Sequence, residues 1–129
     1  MGHLTHNKNR PRYLDLRRIH LPLTGIVSIL HRISGALLIL ALPFMGYLLQ
    51  LSLHDEQGFE QARRLLDGTL VSLFSVGVLW ALAHHFFAGI RYLLMDLDIG
   101  MERTRAVAMA RAVLFAETVV FVLLLGWWL

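Results

Sequence analysis

Two histidines, His84 and His85, stand side by side within an apolar stretch and are followed by Phe86-Phe87-Ala88-Gly89-Ile90-Arg91. An imidazole surrounded by hydrocarbon side chains is costly unless it is paired or holds a ligand. A neutral imidazole can give one ring nitrogen's lone pair to a metal while the other nitrogen donates a hydrogen bond that fixes the ring. Neighbouring helical residues point about 100° apart, so the two rings cannot both face one ligand. His85 has Gly77, Ala81, Ala88 and Gly89 at offsets of minus eight, minus four, plus three and plus four. That almost side-chain-free strip would let a flat macrocycle lie against the helix, or let a neighbouring helix approach closely. His84 has Trp80 and Phe87 at minus four and plus three, a bulkier face suited to lipid or a packed neighbour. His85 is therefore the better axial ligand for a haem. The alternative left open by spacing is a histidine hydrogen-bonded between helices, with the small residues serving packing alone.

A second group lies earlier in the chain: Thr24, Ser28, His31 and Arg32. Ser28 and Arg32 are four apart and share a helix face. A hydroxyl and a guanidinium so placed can hydrogen-bond a quinone carbonyl and stabilise the negative charge that develops on its reduction. The plainer alternative is a snorkelling arginine with a capping serine. His85 lies eleven residues before Asp96, about 16 Å of helix at 1.5 Å per residue, which is near the middle of a hydrocarbon core about 30 Å thick. A haem at that depth could direct its propionates to the membrane edge, where His31 and Arg32 could meet them.

The elements that must position these residues are membrane helices. The 129 residues are 57% hydrophobic, with a mean hydropathy of +0.60, too apolar for a soluble globule of this size. A first span is expected over about 23–53, kinked at Pro43, a second over 69–95 and a third over 106–129. Together they form one three-helix transmembrane domain, 23–129, after a polar arm, 1–22. Pro11 and Pro22 discourage a continuous helix in that arm, and no small-residue cleavage site follows the first apolar run, so the arm is expected to be retained. Its Leu14-Asp15-Leu16 is expected either to pack on the membrane surface or a soluble partner or to be part of a partly ordered tail. Between the first two spans, Phe59, Ala62, Leu65 and Leu66 fall at helical spacing and suggest a short amphipathic helix. Trp127-Trp128 suits the far interface.

Cysteine is absent, which excludes disulfides and thiolate-held iron–sulfur clusters in this chain. The net charge is +3, but the charges are arranged by topology rather than along a phosphate-tracking stripe, so nucleic acid is not an expected partner. Only Arg63 and Arg64 of the twelve basic residues fall between the first two spans. The other ten lie on the opposite side, which predicts a cytoplasmic N-terminus and a periplasmic C-terminus.

The chain resembles the cytochrome b556 membrane-anchor subunit of succinate dehydrogenase, the larger anchor of respiratory complex II. The likeness rests on Arg10-Pro11 followed by Leu14-Asp15-Leu16, on Ser28-Ile29-Leu30-His31-Arg32-Ile33-Ser34-Gly35, and on His85 before Gly89-Ile90-Arg91 with Asp96 beyond. The loop stretch Gly58-Phe59-Glu60-Gln61-Ala62 resembles the enterobacterial form. The resemblance implies a multi-pass subunit of a bacterial inner-membrane enzyme with four subunits. In it a flavoprotein oxidises succinate, an iron–sulfur subunit carries electrons, and two anchors supply a ubiquinone site and a haem b. By motif position His85 would be one axial ligand, the smaller anchor supplying the other. Ser28 and Arg32 would bind quinone, and His31 and Arg32 would contact the propionates. Asp96 would lie where a carboxylate could supply protons.

The chain would then hold no complete catalytic site and bind no dicarboxylate. A fumarate reductase anchor running the reaction in reverse, or a cofactor-free structural membrane protein, are the rival readings. In many relatives a histidine follows the Gly-Ile-Arg triplet. Tyr92 stands there instead, on the His85 face, where its hydroxyl could serve as donor at the haem edge. Glu117, inside the third span, has no role in the family pattern and is expected to make an interhelical hydrogen bond or to face protein as a protonated carboxyl.

Overall fold

The structure is a computed structural model that describes residues 20–128, so the expectations for Leu14-Asp15-Leu16 and the rest of residues 1–19 lie outside the described residues. Four helices follow in order: α1 (Leu23–His54), α2 (Glu56–Leu66), α3 (Thr69–Asp96) and α4 (Arg103–Trp128). Three of them, α1, α3 and α4, are long and apolar enough to cross a membrane. At 1.5 Å per residue the 32 residues of α1 reach about 48 Å, beyond a hydrocarbon core of about 30 Å. Its ends must tilt or project. Helix α1 continues through Pro43.

Burial follows side-chain size rather than hydrophobicity. The buried residues of α1 are Val27, Ser34 and Ala41, seven apart. Those of α3 include Ala81, Ala83, His84 and Ala88, and α4 contributes Ala110, Val113 and Glu117. Val27, Ala88, Ala110 and Val113 form one contact cluster between the three long helices, with Leu23, Phe87 and Leu114 packed on it. Large aliphatic residues such as Ile39, Leu40, Leu70 and Leu123 face outward. In lipid an outward leucine costs nothing, and close approach of backbones selects small residues for the inside. Helix α3 is central, packing against α1 on one side and α4 on the other.

The short helix α2 is held at both ends by side chains. Asp55 is its N-cap, its carboxylate accepting from the Gly58 backbone N–H at 2.6 Å. Ser72 Oγ donates to the Leu66 carbonyl at 2.8 Å, satisfying an orphan acceptor at the other end. Gly58 and Ala62 are the residues it buries, while Phe59 is exposed. The small residues meet α1, and the aromatic of the expected apolar face turns outward.

Helix α3 ends in a tight reversal. The Ile99 N–H reaches back to the Leu94 carbonyl at 3.0 Å, and Asp98 adopts a left-handed φ of 59°, as helix C-termini often require. Gly100 has φ 82° and lies against the Met109 thioether, so a side chain there would be both strained and obstructed.

Candidate functional site

The two adjacent histidines of α3 occupy opposite environments. His84 is fully buried. Its Nδ1 is hydrogen-bonded to Glu117 Oε2 of α4, and its Nε2 lies 3.4 Å from the Val27 carbonyl of α1. The Trp80 ring stacks on it, centroids 5.6 Å apart. Both ring nitrogens are engaged, leaving no lone pair for a ligand. This is the interhelical histidine that spacing left open for His85, and Glu117 makes the interhelical hydrogen bond expected of it.

His85 is only partly buried. Its Nδ1 lies 3.3 Å from the His31 carbonyl and 3.3 Å from Ser34 Oγ. Ser34 Oγ already donates to that same carbonyl at 2.9 Å. A carbonyl only accepts, so Nδ1 carries the proton and is shared between the carbonyl and the serine oxygen. The neutral ring then has an unprotonated Nε2, for which the described residues provide no hydrogen-bond partner.

Three rings gather at this point. His31 stacks on His85 with centroids 4.2 Å apart and planes 6° apart, and Tyr92 tilts against His31 at 5.0 Å. Two glycines make this possible. A Cβ on Gly35 would come within 3.0 Å of His85 Cε1, tighter than nearly all real contacts, and one on Gly89 would lie 3.8 Å from His31 Nε2. Of the small-residue strip, Ala81 and Ala88 are fully buried in the helix contacts, whereas a side chain at Gly77 would meet nothing. Packing uses all of the strip but Gly77.

The other expected residues stand around this group rather than in it. Arg32 is exposed and Ser28 half-buried on α1, one turn apart and without hydrogen bonds to the described residues. Asp96 is exposed as the last residue of α3. Arg91 is 4% exposed. Its guanidinium carbon lies 5.5 Å from the Tyr92 ring centroid, and its Nε has no hydrogen-bond partner among the described residues.

Comparison with known proteins meets this arrangement from another side. Residues 6–125 match the family model for the succinate dehydrogenase/fumarate reductase transmembrane subunit. The chain belongs to that family. It is 36% identical over 124 residues to the succinate dehydrogenase cytochrome b556 subunit of Coxiella burnetii, covering 95% of this chain and 98% of that one. It is 31% identical to the cytochrome b556 subunit of Paracoccus denitrificans, covering 91% and 90% of the two chains. It is also 31% identical to the cytochrome b560 subunit of Reclinomonas americana, over 78% and 74%. The larger-anchor resemblance drawn from Ser28 to Gly35 and from His85 to Asp96 is the family found.

Within this member of the family, the structure brings together His31, His85 and Tyr92 and leaves Ser28, Arg32 and Asp96 apart from them. Ser34, which lies beside the His85 ring, is a functional residue that sequence reasoning alone does not single out. Its signal was its position three residues after His31, which lets its hydroxyl reach the His31 carbonyl. His84 with Glu117 had a weaker signal: two polar residues, each mid-span in a different helix, that must find partners or remain unsatisfied in hydrocarbon.

Proposed function

We propose that this chain is the haem b-containing larger anchor of a succinate:quinone oxidoreductase, with His85 as one axial ligand and a histidine of the smaller anchor as the other. One observation carries this reading: His85 has its Nδ1 fixed by a backbone carbonyl and its Nε2 unused on a partly open face. That is the arrangement metal-bound histidines use, where a second hydrogen bond sets the tautomer and aims the ligating nitrogen. The residues fit the group in other respects. Gly35 and Gly89 keep side chains away from the stacked imidazoles, and Gly77 leaves open space along the same helix. A bis-imidazole haem supplies one-electron storage without an open position for oxygen.

The chain's own residues do the positioning. The His31 carbonyl and Ser34 hold His85, while the His31 ring and the Arg32 guanidinium are the groups for the propionates. Ser28 and Arg32 present a hydroxyl donor and a fixed positive charge on one face of α1. A ubiquinone carbonyl hydrogen-bonded there would have its developing negative charge stabilised. Tyr92 extends the donor set beside His31, and Asp96, exposed at the end of α3, is placed for proton supply from water. With ten of twelve basic residues on one side, that end faces the cytoplasm of a bacterial inner membrane. There the iron–sulfur and flavoprotein subunits would dock. The family name covers fumarate reductase as well, but the named relatives are succinate dehydrogenase subunits, which favours succinate oxidation with ubiquinone as acceptor.

The test is the reduced haem absorption of the purified complex. His85→Leu is expected to abolish the alpha band while leaving succinate oxidation by the soluble subunits measurable. An undiminished band in that variant would sink the ligand assignment.

A further inference from the structure

Two neighbouring imidazoles of α3 reach two successive turns of α1. His84 Nε2 meets the Val27 carbonyl at 3.4 Å, and His85 Nδ1 meets the His31 carbonyl at 3.3 Å. Those carbonyls are four residues apart, one helical turn on one face. The two contacts together fix both the rotation of α3 about its axis and its height against α1. A one-point contact would fix neither.

The His84 end of this clamp is itself held. The Val27 carbonyl can only accept, so Nε2 of His84 carries a proton and Nδ1 faces Glu117 of α4. Whether the second proton sits on the carboxyl or on the ring, the pair is hydrogen-bonded in the same geometry. Trp80 closes the remaining side of the ring. His84 is the largest fully buried side chain of the described residues. It touches α1 and α4 at once from α3. A buried polar link of this kind specifies one arrangement of helices that could otherwise slide, because every slipped register leaves polar groups unpaired in hydrocarbon.

We propose that Glu117 and His84 are positioning residues for the haem and quinone sites: they lock α3 against α1 so that His85 presents Nε2 in one fixed direction. They also hold the turn of α1 at Val27, whose next residue is Ser28. This rests on the reading of His85 as an axial ligand. Neither residue touches the haem or the quinone.

The test uses the whole four-subunit complex in detergent and four variants. Replacing both partners, His84→Leu with Glu117→Leu, fills the space with apolar side chains, an exchange that often leaves stability unharmed. Glu117→Leu alone removes the brace. Glu117→Gln keeps a side-chain amide that can donate to His84 Nδ1. His85→Leu tests the underlying ligand reading by haem content. The positional readouts are the electron paramagnetic resonance g-values of the oxidised low-spin haem, which follow the orientation of the axial imidazole planes, and KM for quinone. In the double variant and in Glu117→Leu, haem content should stay near that of the parent, with shifted g-values and a KM raised about three- to tenfold. Glu117→Gln should restore both.

Parental g-values and KM in the double variant overturn the proposal. Should the double variant not assemble, parental values in Glu117→Leu do the same. Failure of both to assemble, beside a normal Glu117→Gln complex, also overturns it, by showing that the pair serves folding alone. Haem retained in His85→Leu removes the ligand reading itself, and the proposal falls with it, whatever the Glu117 variants show.

Discussion

Arg32 stands exposed on α1 one turn from Ser28, with no hydrogen bond to the described residues, while the ring of its sequence neighbour His31 stacks with His85 and Tyr92. A guanidinium with no partner among the described residues can be removed at little cost to their packing. If it binds quinone, its loss removes a charge-assisted hydrogen bond worth about 1.5–3 kcal/mol, about ten- to a hundredfold in rate where the interaction is made in the transition state. Arg32→Leu should therefore lower quinone reduction by about that factor while electron delivery to an artificial soluble acceptor stays near the parent rate. Equal loss of both activities would point to failed assembly instead. Part of this scale is readable from spacing: a mid-span glutamate calls for a partner in another helix, and Glu117 has one in His84. The detail of who holds whom is not. Ser34 acts through a carbonyl three residues back, and the His84 contact is to the Val27 backbone, which carries no side-chain signature in sequence.

At the scale of elements, hydropathy and length locate the long helices, because a run of about twenty apolar residues is needed to cross a bilayer. They do not show which face packs inward. In a soluble helix the large apolar residues point in, but here Ile39, Leu40 and Phe59 point out while Gly58, Ala62, Ala81 and Ala88 meet neighbours. The apolar spacing of α2 was visible, and its orientation was not. The same rule makes the approach of α1 to α3 depend on a residue without a side chain. Gly35→Val would drive its methyl groups into the His85 ring, which a single Cβ already meets at 3.0 Å. Overpacking of this kind costs about 1–3 kcal/mol, and here it would move the imidazole away from Ser34 and the His31 carbonyl. A drop in haem per assembled complex is expected. Gly46→Val, on the same helix with nothing within 4 Å, should leave haem content unchanged, so equal effects from the two substitutions would show that His85 crowding is not the cause.

For the whole molecule, three crossings would put the two ends of the described chain on opposite sides of a membrane, and charge is the basis of the orientation proposed above. Arg103 and Arg105 stand in the first turn of α4, and Arg91 lies near the end of α3. With the five basic residues before α1 they lie on one side, against Arg63 and Arg64 on the other. Basic residues near span ends are retained in the cytoplasm. The proposed orientation matters chemically, because it would put Ser28, Arg32 and Asp96 at the cytoplasmic edge, within reach of electrons from soluble partners and protons from water. A reversed chain would present the same residues to the periplasm, where no succinate-oxidising subunits could dock. An enzyme reporter active only in the periplasm, fused after Leu129, should therefore be active. The same reporter in the α3–α4 loop at Gly100 should be silent. Activity at Gly100 with silence after Leu129 would invert the molecule and with it the side from which quinone is reduced, and equal activity at both points would mean that α4 does not cross.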